Sequence, residues 1–203
     1  MKKQDIINYF IQSRGYTKYL EIGVDKGHCF RAVECEVKES VDPAQGQYSH
    51  ATPTYTMTSD DFFNSIDDTQ KWDIILVDGL HHSDQVYKDV VNSLEHLNEG
   101  GVVICHDMNP LSEGAQAVPR SQSHWNGDCW KAWVQLRSEL DHNMVVVNTD
   151  QGCGVIDTKH QSDSPLALEL ESPLTYSFLN NNREELLNLL SVDEWKTYRS
   201  AHA

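Results

Sequence analysis

Hydrophobic positions in the first half of the chain alternate between helical spacing and short continuous runs. Helical spacing comes first, at Ile6, Ile7, Phe10 and Ile11, and predicts an amphipathic helix. Short segments that follow predict strands at residues 18–22, 37–41, 54–57, 74–77 and 102–105, and the last two of these segments are apolar throughout. Runs that are apolar throughout are typical of parallel strands covered on both faces.

Apolar stripes farther along the chain predict two more helices. One apolar stripe is formed by Val86, Val90, Leu94 and Leu97. It is closed by residues 98–101, whose two glycines are a good helix stop. A second helical face is formed by Cys129, Trp133, Leu136 and Leu140.

The end of the chain predicts a hairpin followed by a helical tail. The apolar runs 144–147 and 155–156 flank a turn-rich segment, and we expect them to pair. The tail, over residues 172–200, has its apolar residues at Leu186, Leu187, Leu190 and Trp195. That helical stretch must pack on something, either its own domain or another subunit of a homo-oligomer.

Strands alternate with helices along the chain, and polar residues follow several of the strands. This order predicts an open, mostly parallel α/β sheet whose ligand crevice lies at the carboxyl ends of the strands. A length of 203 residues without a linker-like stretch favours one domain over residues 1–203.

Composition excludes several classes of partner. The formal net charge of −15, without a Lys/Arg cluster, argues against binding to a nucleic-acid backbone. A polar start and the lack of an 18-residue apolar run predict a cytoplasmic protein that neither enters nor crosses a membrane. The five cysteines are scattered without a Cys-x-x-Cys pair, which indicates buried reduced thiols and argues against zinc.

A glycine-bearing turn follows the first predicted strand. Glycines at 23 and 27 let the backbone approach a ligand where a Cβ would clash. Asp25 breaks the Gly-x-Gly-x-x-Gly pattern, so a mononucleoside cofactor fits better than a dinucleotide. Glu21 would repel a pyrophosphate and suits a cationic ligand. The alternative is an ordinary tight turn.

Two further acidic positions lie where a nucleoside could be bound. Asp42 ends the second strand 21 positions after Glu21 (42 − 21), the place where α/β nucleotide folds grip a ribose diol. The alternative is that Asp42 and Pro43 only start a turn. Ser59 and Asp60 precede a predicted helix, and this segment can cap the helix and also contact an adenine.

The densest group of candidate functional residues follows the two strands at 74–77 and 102–105. Asp78, His81 and His82 come after the first of these strands, and His106 and Asp107 after the second. If the strands are neighbours, two carboxylates and up to three imidazoles converge as metal ligands or as a base near neutral pH. For any single histidine, a structural hydrogen bond is the simpler explanation.

Five motifs occur in order between residues 19 and 107: YLEIGVDKG, VDP, SDDFF, VDGLHHSDQVYKDV and GGVVICHD. Together they resemble the class I S-adenosylmethionine-dependent methyltransferases. The match that they support covers about residues 5–158. More narrowly, the chain is similar to a small bacterial family with Asp-Gly-x-His after strand four and His-Asp after strand five. The resemblance implies a Rossmann-like fold with a mostly parallel seven-stranded sheet, helices on both faces and a C-terminal helical tail.

The resemblance also implies roles for the cofactor residues. The methionine part of S-adenosylmethionine is expected beside Glu21, Gly23 and Gly27, and its ribose hydroxyls at Asp42. Ser59 and Asp60 are expected beside adenine. Asp78 would border both the methionine and the methyl acceptor.

The resemblance extends to metal-dependent sugar O-methyltransferases, in which acidic residues at these strand ends hold magnesium. Asp78 and Asp107 match that pattern, and His106 stands where a carboxylate would complete the metal set. Some relatives have an Asp base two residues after the metal ligand, but this chain has Leu80 there. In other relatives a His three residues after the metal Asp is the base, and His81 occupies that place.

The favoured interpretation is an O-methyltransferase acting on a small-molecule or saccharide hydroxyl, with His81 as base and with or without Mg²⁺. Trp125 and Trp130 either stack on a sugar ring or pack beside the helix that begins near Cys129. One alternative is a protein that binds S-adenosylmethionine without catalysis. A nicotinamide-dependent oxidoreductase is the last alternative, because the third glycine of its fingerprint is missing.

Overall fold

The computed structural model describes residues 1–44 and 52–202. In these ranges the strands are β1 (Lys18–Ile22), β2 (Val37–Val41), β3 (Trp72–Val77), β4 (Leu97–Cys105), β5 (His142–Val147), β6 (Cys153–Gln161) and β7 (Leu189–Leu190). The helices are α1 (Lys3–Arg14), α2 (His28–Ala32), α3 (Ser59–Ser65), α4 (Ser83–Glu95), α5 (Glu113–Gln116), α6 (Cys129–Glu139), α7 (Tyr176–Leu187) and α8 (Val192–Ala201). None of these helices has the length and apolar character needed to cross a membrane.

The strands form one seven-stranded sheet in the order β2-β1-β3-β4-β6-β5-β7. β6 pairs antiparallel with both of its neighbours, and all other pairings are parallel. The chain leaves β1 toward β2 on one side and returns to β3 on the other. Such a reversal of strand order opens a crevice at the carboxyl ends of β1 and β3, where α/β proteins bind their ligands.

Side chains of the central strands alternate between two apolar layers, as the period of two in a strand requires. In β3, Ile75 and Val77 face the layer covered by α3, α4, α6 and α7. Ile74 and Leu76 face the opposite layer, which is covered by α1, α2 and α8. The Rossmann-like class predicted from the sequence, with a mostly parallel seven-stranded sheet and helices on both faces, is therefore confirmed.

Several predicted elements have the bounds that the structure shows. The first helix buries its predicted apolar face, and the strands at 18–22 and 37–41 are β1 and β2. The runs at 144–147 and 155–156 lie in β5 and β6, which pair as predicted.

Three local predictions were wrong. Residues 54–57 form only an isolated bridge between Tyr55 and Val41. The helix predicted from the stripe that included Leu97 was too long, because α4 ends at Glu95. Leu97 instead belongs to β4, where it pairs with Trp72 of β3. Leu190, predicted as helical, belongs to β7 beside β5. In each case a neighbouring strand, which is not encoded locally, decides the conformation.

The C-terminal tail packs on its own domain. Leu186 and Leu187 are fully buried in the layer with α6, and Trp195 packs against Phe10 of α1 on the other face. The guanidinium of Arg137 in α6 donates hydrogen bonds to the carbonyl oxygens of Glu185 and Leu186. Of the two alternatives left by the sequence, the structure therefore favours packing within the chain.

Candidate functional site

A cleft of about 850 Å³ opens at the carboxyl ends of β1 to β4. Its walls come from the turns that follow these strands, the start of α1 and the segment before α6. Among its lining residues are Lys3, Gly23, Asp25, Asp42, Ser59, Asp60, Asp78, Leu80, His81, Gln85, His106, Asp107, Arg120, Trp125 and Gln151. Most of the residues predicted for cofactor binding therefore share one cavity, while Glu21 and Gly27 lie outside its lining.

Gly23 is required by a close approach between two strands. It has φ +86°, and a Cβ at this position would lie 2.1 Å from the carbonyl oxygen of Asp78. The Asp42 carboxylate orders the same turn by accepting hydrogen bonds from Val24 N at 2.8 Å and Asp25 N at 3.3 Å. The glycine thus lets the turn pass over the end of β3, while Asp42 stabilises it from the cleft side.

Glu21 is buried beneath the glycine turn. Its side chain is 1% exposed and accepts a 2.5 Å hydrogen bond from the Tyr19 hydroxyl. Burial raises the pKa of Glu21 to about 7, although the hydrogen bond from Tyr19 works in the opposite direction. Gly27 precedes α2 with φ +69°. Glu21 and Gly27 thus lie at the two ends of the turn that follows β1 and support its shape.

The segment 58–61 forms the opposite wall of the cleft. Thr58 is the N-cap of α3, because its hydroxyl accepts a hydrogen bond from Asp61 N. Asp60 is fixed by Gln85 of α4, whose amide donates to the Asp60 carboxylate at 2.8 Å and to Asp89 at 3.0 Å. Gln85 was not predicted from the sequence, because it reaches this wall from the neighbouring helix α4.

Two carboxylates and two imidazoles converge at the ends of β3 and β4. His106 Nδ1 lies 3.1 Å from Asp78 Oδ1 and 2.9 Å from Asp107 Oδ2. His81 Nε2 lies 3.4 Å from Asp107 Oδ2 and 3.8 Å from Asp78 Oδ1. His82 does not line the cleft and serves as the residue before α4. The strand ends thus bring together four of the five residues noted in the sequence.

Lys3 of α1 also reaches this cluster, which the sequence did not indicate. Its ammonium nitrogen lies 2.6 Å from Asp78 Oδ2. Burial by itself raises the pKa of Asp78, but the charges of His106 and Lys3 hold that pKa well below its usual range. Burial opposes protonation of His106, yet Asp78 and Asp107 raise its pKa well above the ordinary value. Both carboxylates are therefore partnered by cations.

His81 is held in place by the segment just before α6. The Trp125 ring stacks on the His81 ring with centroids 5.1 Å apart and planes 16° apart. At Gly127, φ is +64°, and a Cβ would lie 1.8 Å from the carbonyl oxygen of His81. The Asp128 carboxylate accepts a 2.8 Å hydrogen bond from Ser83 N. The segment 125–128 therefore packs against residues 81–83 and holds them from one side.

The two tryptophans named as sugar-stacking candidates have different surroundings. Trp125 lines the cleft, but one of its faces already meets His81. Trp130 is fully buried in α6, and its indole nitrogen donates to the Gln116 side chain at 2.7 Å. The packing alternative therefore describes Trp130, and Trp125 contacts the histidine proposed as base.

Comparison with known proteins adds a family match to this geometry. Residues 20–108 match the family model described as a methyltransferase domain. The segment contains β1 to β4 and most of the residues that line the cleft. Among curated proteins, none matches the sequence.

Solved structures share the fold at low sequence identity. A Klebsiella pneumoniae protein assigned as an O-methyltransferase is 12% identical, with TM-score 0.58 over 77% of this chain and 80% of that one. The Bacillus cereus O-methyltransferase in complex with S-adenosylhomocysteine is 14% identical, with TM-score 0.54 over 76% and 80%. TomG of Streptomyces achromogenes, an O-methyltransferase involved in tomaymycin synthesis and solved with S-adenosylmethionine, is 14% identical, with TM-score 0.55 over 77% and 79%. Residues 20–108 thus match a methyltransferase domain, and the chain shares its fold with these solved O-methyltransferases.

Proposed function

We propose that the chain transfers the methyl group of S-adenosylmethionine to a hydroxyl oxygen of a small molecule or saccharide, with His81 as general base. It would act as one domain in the cytoplasm. The observation that carries the proposal is the position of the His81 ring, which lines the cleft 3.4 Å from the Asp107 carboxylate. A carboxylate at that distance stabilises the imidazolium that forms when the ring accepts a proton.

The cleft fits a cationic cofactor. Its walls carry the carboxylates of Asp42, Asp60 and Asp78 on three successive turns. We assign Asp42 to the ribose hydroxyls, Ser59 and Asp60 to the adenine side, and the turn at Gly23 with Asp78 to the methionine side. Glu21 and Gly27 support this turn from outside the cleft. When bound, the cofactor supplies an activated methyl group on a sulfonium.

The chemical work of the chain is then positioning and proton removal. Methyl transfer is an in-line displacement at carbon, so the acceptor oxygen must be aligned with the methyl group. An alcohol is a weak nucleophile, and loss of its proton to His81 strengthens it. Asp78 and Asp107 flank the ring and balance the positive charge that develops on it. Leu80, which is 53% exposed and lines the cleft, offers an apolar contact on the acceptor side.

Magnesium fits this cluster poorly. Asp78, His81 and Asp107 offer three donor atoms within 4.8 Å of one another. However, Lys3 and His106 pair with the two oxygens of Asp78, and His106 also bonds Asp107. Mg²⁺ prefers about six oxygen ligands in near-ideal octahedral geometry. We therefore propose that transfer proceeds without Mg²⁺.

Addition of millimolar Mg²⁺ is expected to leave the turnover of the chain unchanged, measured as release of S-adenosylhomocysteine. The matched variant is Lys3→Met, which frees Asp78 Oδ2 from its ammonium partner. In that variant we expect measurable Mg²⁺ binding by calorimetry. Strong activation of the unaltered chain by Mg²⁺ would show that the ion displaces Lys3, and it would contradict the metal-free proposal.

Cofactor binding is the direct test of the proposed function. Calorimetry should detect S-adenosylhomocysteine binding to the unaltered chain. Asp42→Ala is expected to weaken it by about two orders of magnitude, because charged hydrogen bonds to two hydroxyls are lost. Asp25→Asn is the control, since it removes a carboxylate from the same turn but not from the ribose position. Absence of heat with the unaltered chain would refute the methyltransferase assignment of this cleft.

Binding without catalysis is the second candidate, and one observation favours it. Lys3 and His106 already neutralise the carboxylates beside His81, so these carboxylates do not need a charged His81 as partner. A chain that binds S-adenosylhomocysteine but releases none from S-adenosylmethionine across a broad panel of alcohols, phenols and saccharides would support this alternative.

A further inference from the structure

Three side chains with metal-binding atoms meet at the edge of the cleft, and they share only His106 with the cluster around Asp78. His106 follows β4, Asp150 lies in the turn between β5 and β6, and Cys153 begins β6. One ligand atom from each lies within 4.8 Å of the other two. The antiparallel register explains the meeting, because Cys105 pairs with Gly154 and so sets residues 106 and 153 side by side.

The His106 ring has one nitrogen that the methyltransferase site leaves unused. Its side chain is 6% exposed, and among the described residues the buried Nε2 atom has no hydrogen-bond partner. The nearest carboxylate oxygen, Asp150 Oδ2, is 3.7 Å away, beyond hydrogen-bond length. Leaving a buried polar atom without a hydrogen bond is unfavourable, so this atom is suited to binding a ligand. Nε2 is aimed at Asp150 and Cys153.

The opposite nitrogen of the same ring is already oriented as in a metal site. His106 Nδ1 hydrogen-bonds the carboxylates of Asp78 and Asp107 at 3.1 and 2.9 Å. Histidines that bind metals usually donate their second N–H to a carboxylate, which fixes the ring and raises the basicity of the ligating nitrogen. The Asp150 carboxylate is likewise held, by a 3.1 Å hydrogen bond from Lys3 N.

We propose that His106 Nε2, Asp150 and Cys153 bind a zinc ion, with a fourth coordination position left for water. Imidazole, carboxylate and thiolate together select zinc or a similar borderline metal over magnesium. Zinc–ligand bonds of about 2.0–2.3 Å place tetrahedral ligands about 3.3–3.8 Å apart. Because the three ligand atoms lie within 4.8 Å of one another, each distance would shorten by about 1.5 Å at most (4.8 − 3.3). Binding releases the protons of the Cys153 thiol and of His106 Nε2.

The site is independent of the proposed function, because no step of methyl transfer uses it. It also revises the expectation drawn from cysteine spacing. The lack of a Cys-x-x-Cys pair excludes a cysteine-rich zinc site, whereas here one thiol joins a histidine 47 positions earlier (153 − 106). Only the pairing of β4 with β6 brings the two together.

Cobalt(II) is the probe for this site, because a thiolate bound to cobalt gives a charge-transfer absorption band. We expect the purified full chain, treated with chelator and a phosphine reductant, to develop this band and saturate at about one equivalent of Co²⁺. Zn²⁺ should then abolish the band by displacing cobalt. Cys153→Ser should lose the band, and Asp150→Asn should weaken cobalt binding.

Two controls make the test specific. Cys35→Ser removes a thiol that contacts Tyr16 outside the cluster, and it should keep the band. His81→Ala should also keep it, since the Asp78–His81–Asp107 group contains no sulfur. Circular dichroism establishes that each variant is folded, and Asp150→Asn serves as second variant because its side chain is 27% exposed. No band in the unaltered chain, or a full band in Cys153→Ser, would overturn the proposal.

Discussion

Replacement of His81 by alanine is expected to lower kcat by about 10²–10⁴-fold, the usual contribution of a positioned general base. The affinity for S-adenosylmethionine should hardly change, because the residues assigned to the nucleoside lie on the turns after β1 and β2 and at the start of α3. The measurement is release of S-adenosylhomocysteine with a hydroxyl acceptor found by screening, together with calorimetry of the variant.

The neighbouring histidine supplies a matched control for this prediction. His82 differs from His81 by one position and lies outside the lining of the cleft. We expect His82→Ala to retain nearly the full kcat. The loss in His81→Ala should also be smaller for an acidic phenol than for an alcohol, since a phenol needs less help to lose its proton. Undiminished methylation of an alcohol by His81→Ala would remove His81 from the mechanism.

The parts of the fold that could be predicted are those with a strong local pattern. The continuous apolar runs at 74–77 and 102–105 lie in β3 and β4, and α1 buries the face that its spacing indicates. The strand predicted at 54–57 is absent from the described residues, because the pairing of Tyr55 with Val41 is a single isolated bridge and too short to make a strand. The prediction that Leu190 is helical was wrong because its conformation is set by pairing with β5, which lies more than 40 residues earlier in the chain. Contact between distant segments leaves no periodicity in the sequence.

The same distinction applies to the candidate site. Asp42, Asp78 and Asp107 could be placed together, because parallel strands of one sheet end at the same edge. Lys3 and Asp150 could not, since neither belongs to a strand end of that parallel set. Lys3 reaches Asp78 only because α1 packs along the sheet with its first turn at the cleft. Strand order therefore predicts that Asp42, Asp78, His106 and Asp107 lie together, whereas Lys3 and Asp150 are added by tertiary packing.

The contact between Gly127 and His81 gives the last prediction. Alanine at position 127 would place a Cβ 1.8 Å from the His81 carbonyl oxygen, at a φ of +64°. A Cβ cannot rotate away, and the atom it meets is a backbone oxygen, so one of the two segments must move. We expect this movement to break the stack of Trp125 on His81. A misplacement of about 1 Å in a catalytic group can cost about 10²-fold in rate. We expect Gly127→Ala to lose kcat to that extent and to keep its affinity for S-adenosylhomocysteine.

Gly15 separates this clash from simple backbone strain. It has nearly the same conformation, with φ +66°, but apart from its own helix and chain neighbours no described residue has an atom within 4 Å of the Cβ that alanine would add. Gly15→Ala should therefore lose only about 1 kcal/mol of stability through its left-handed conformation and keep its kcat. Thermal unfolding and turnover of the two variants, measured side by side, separate the effects. A Gly127→Ala enzyme as active as Gly15→Ala would mean that the segment before α6 relaxes without moving His81. The contacts of residues 125–128 would then not position the base.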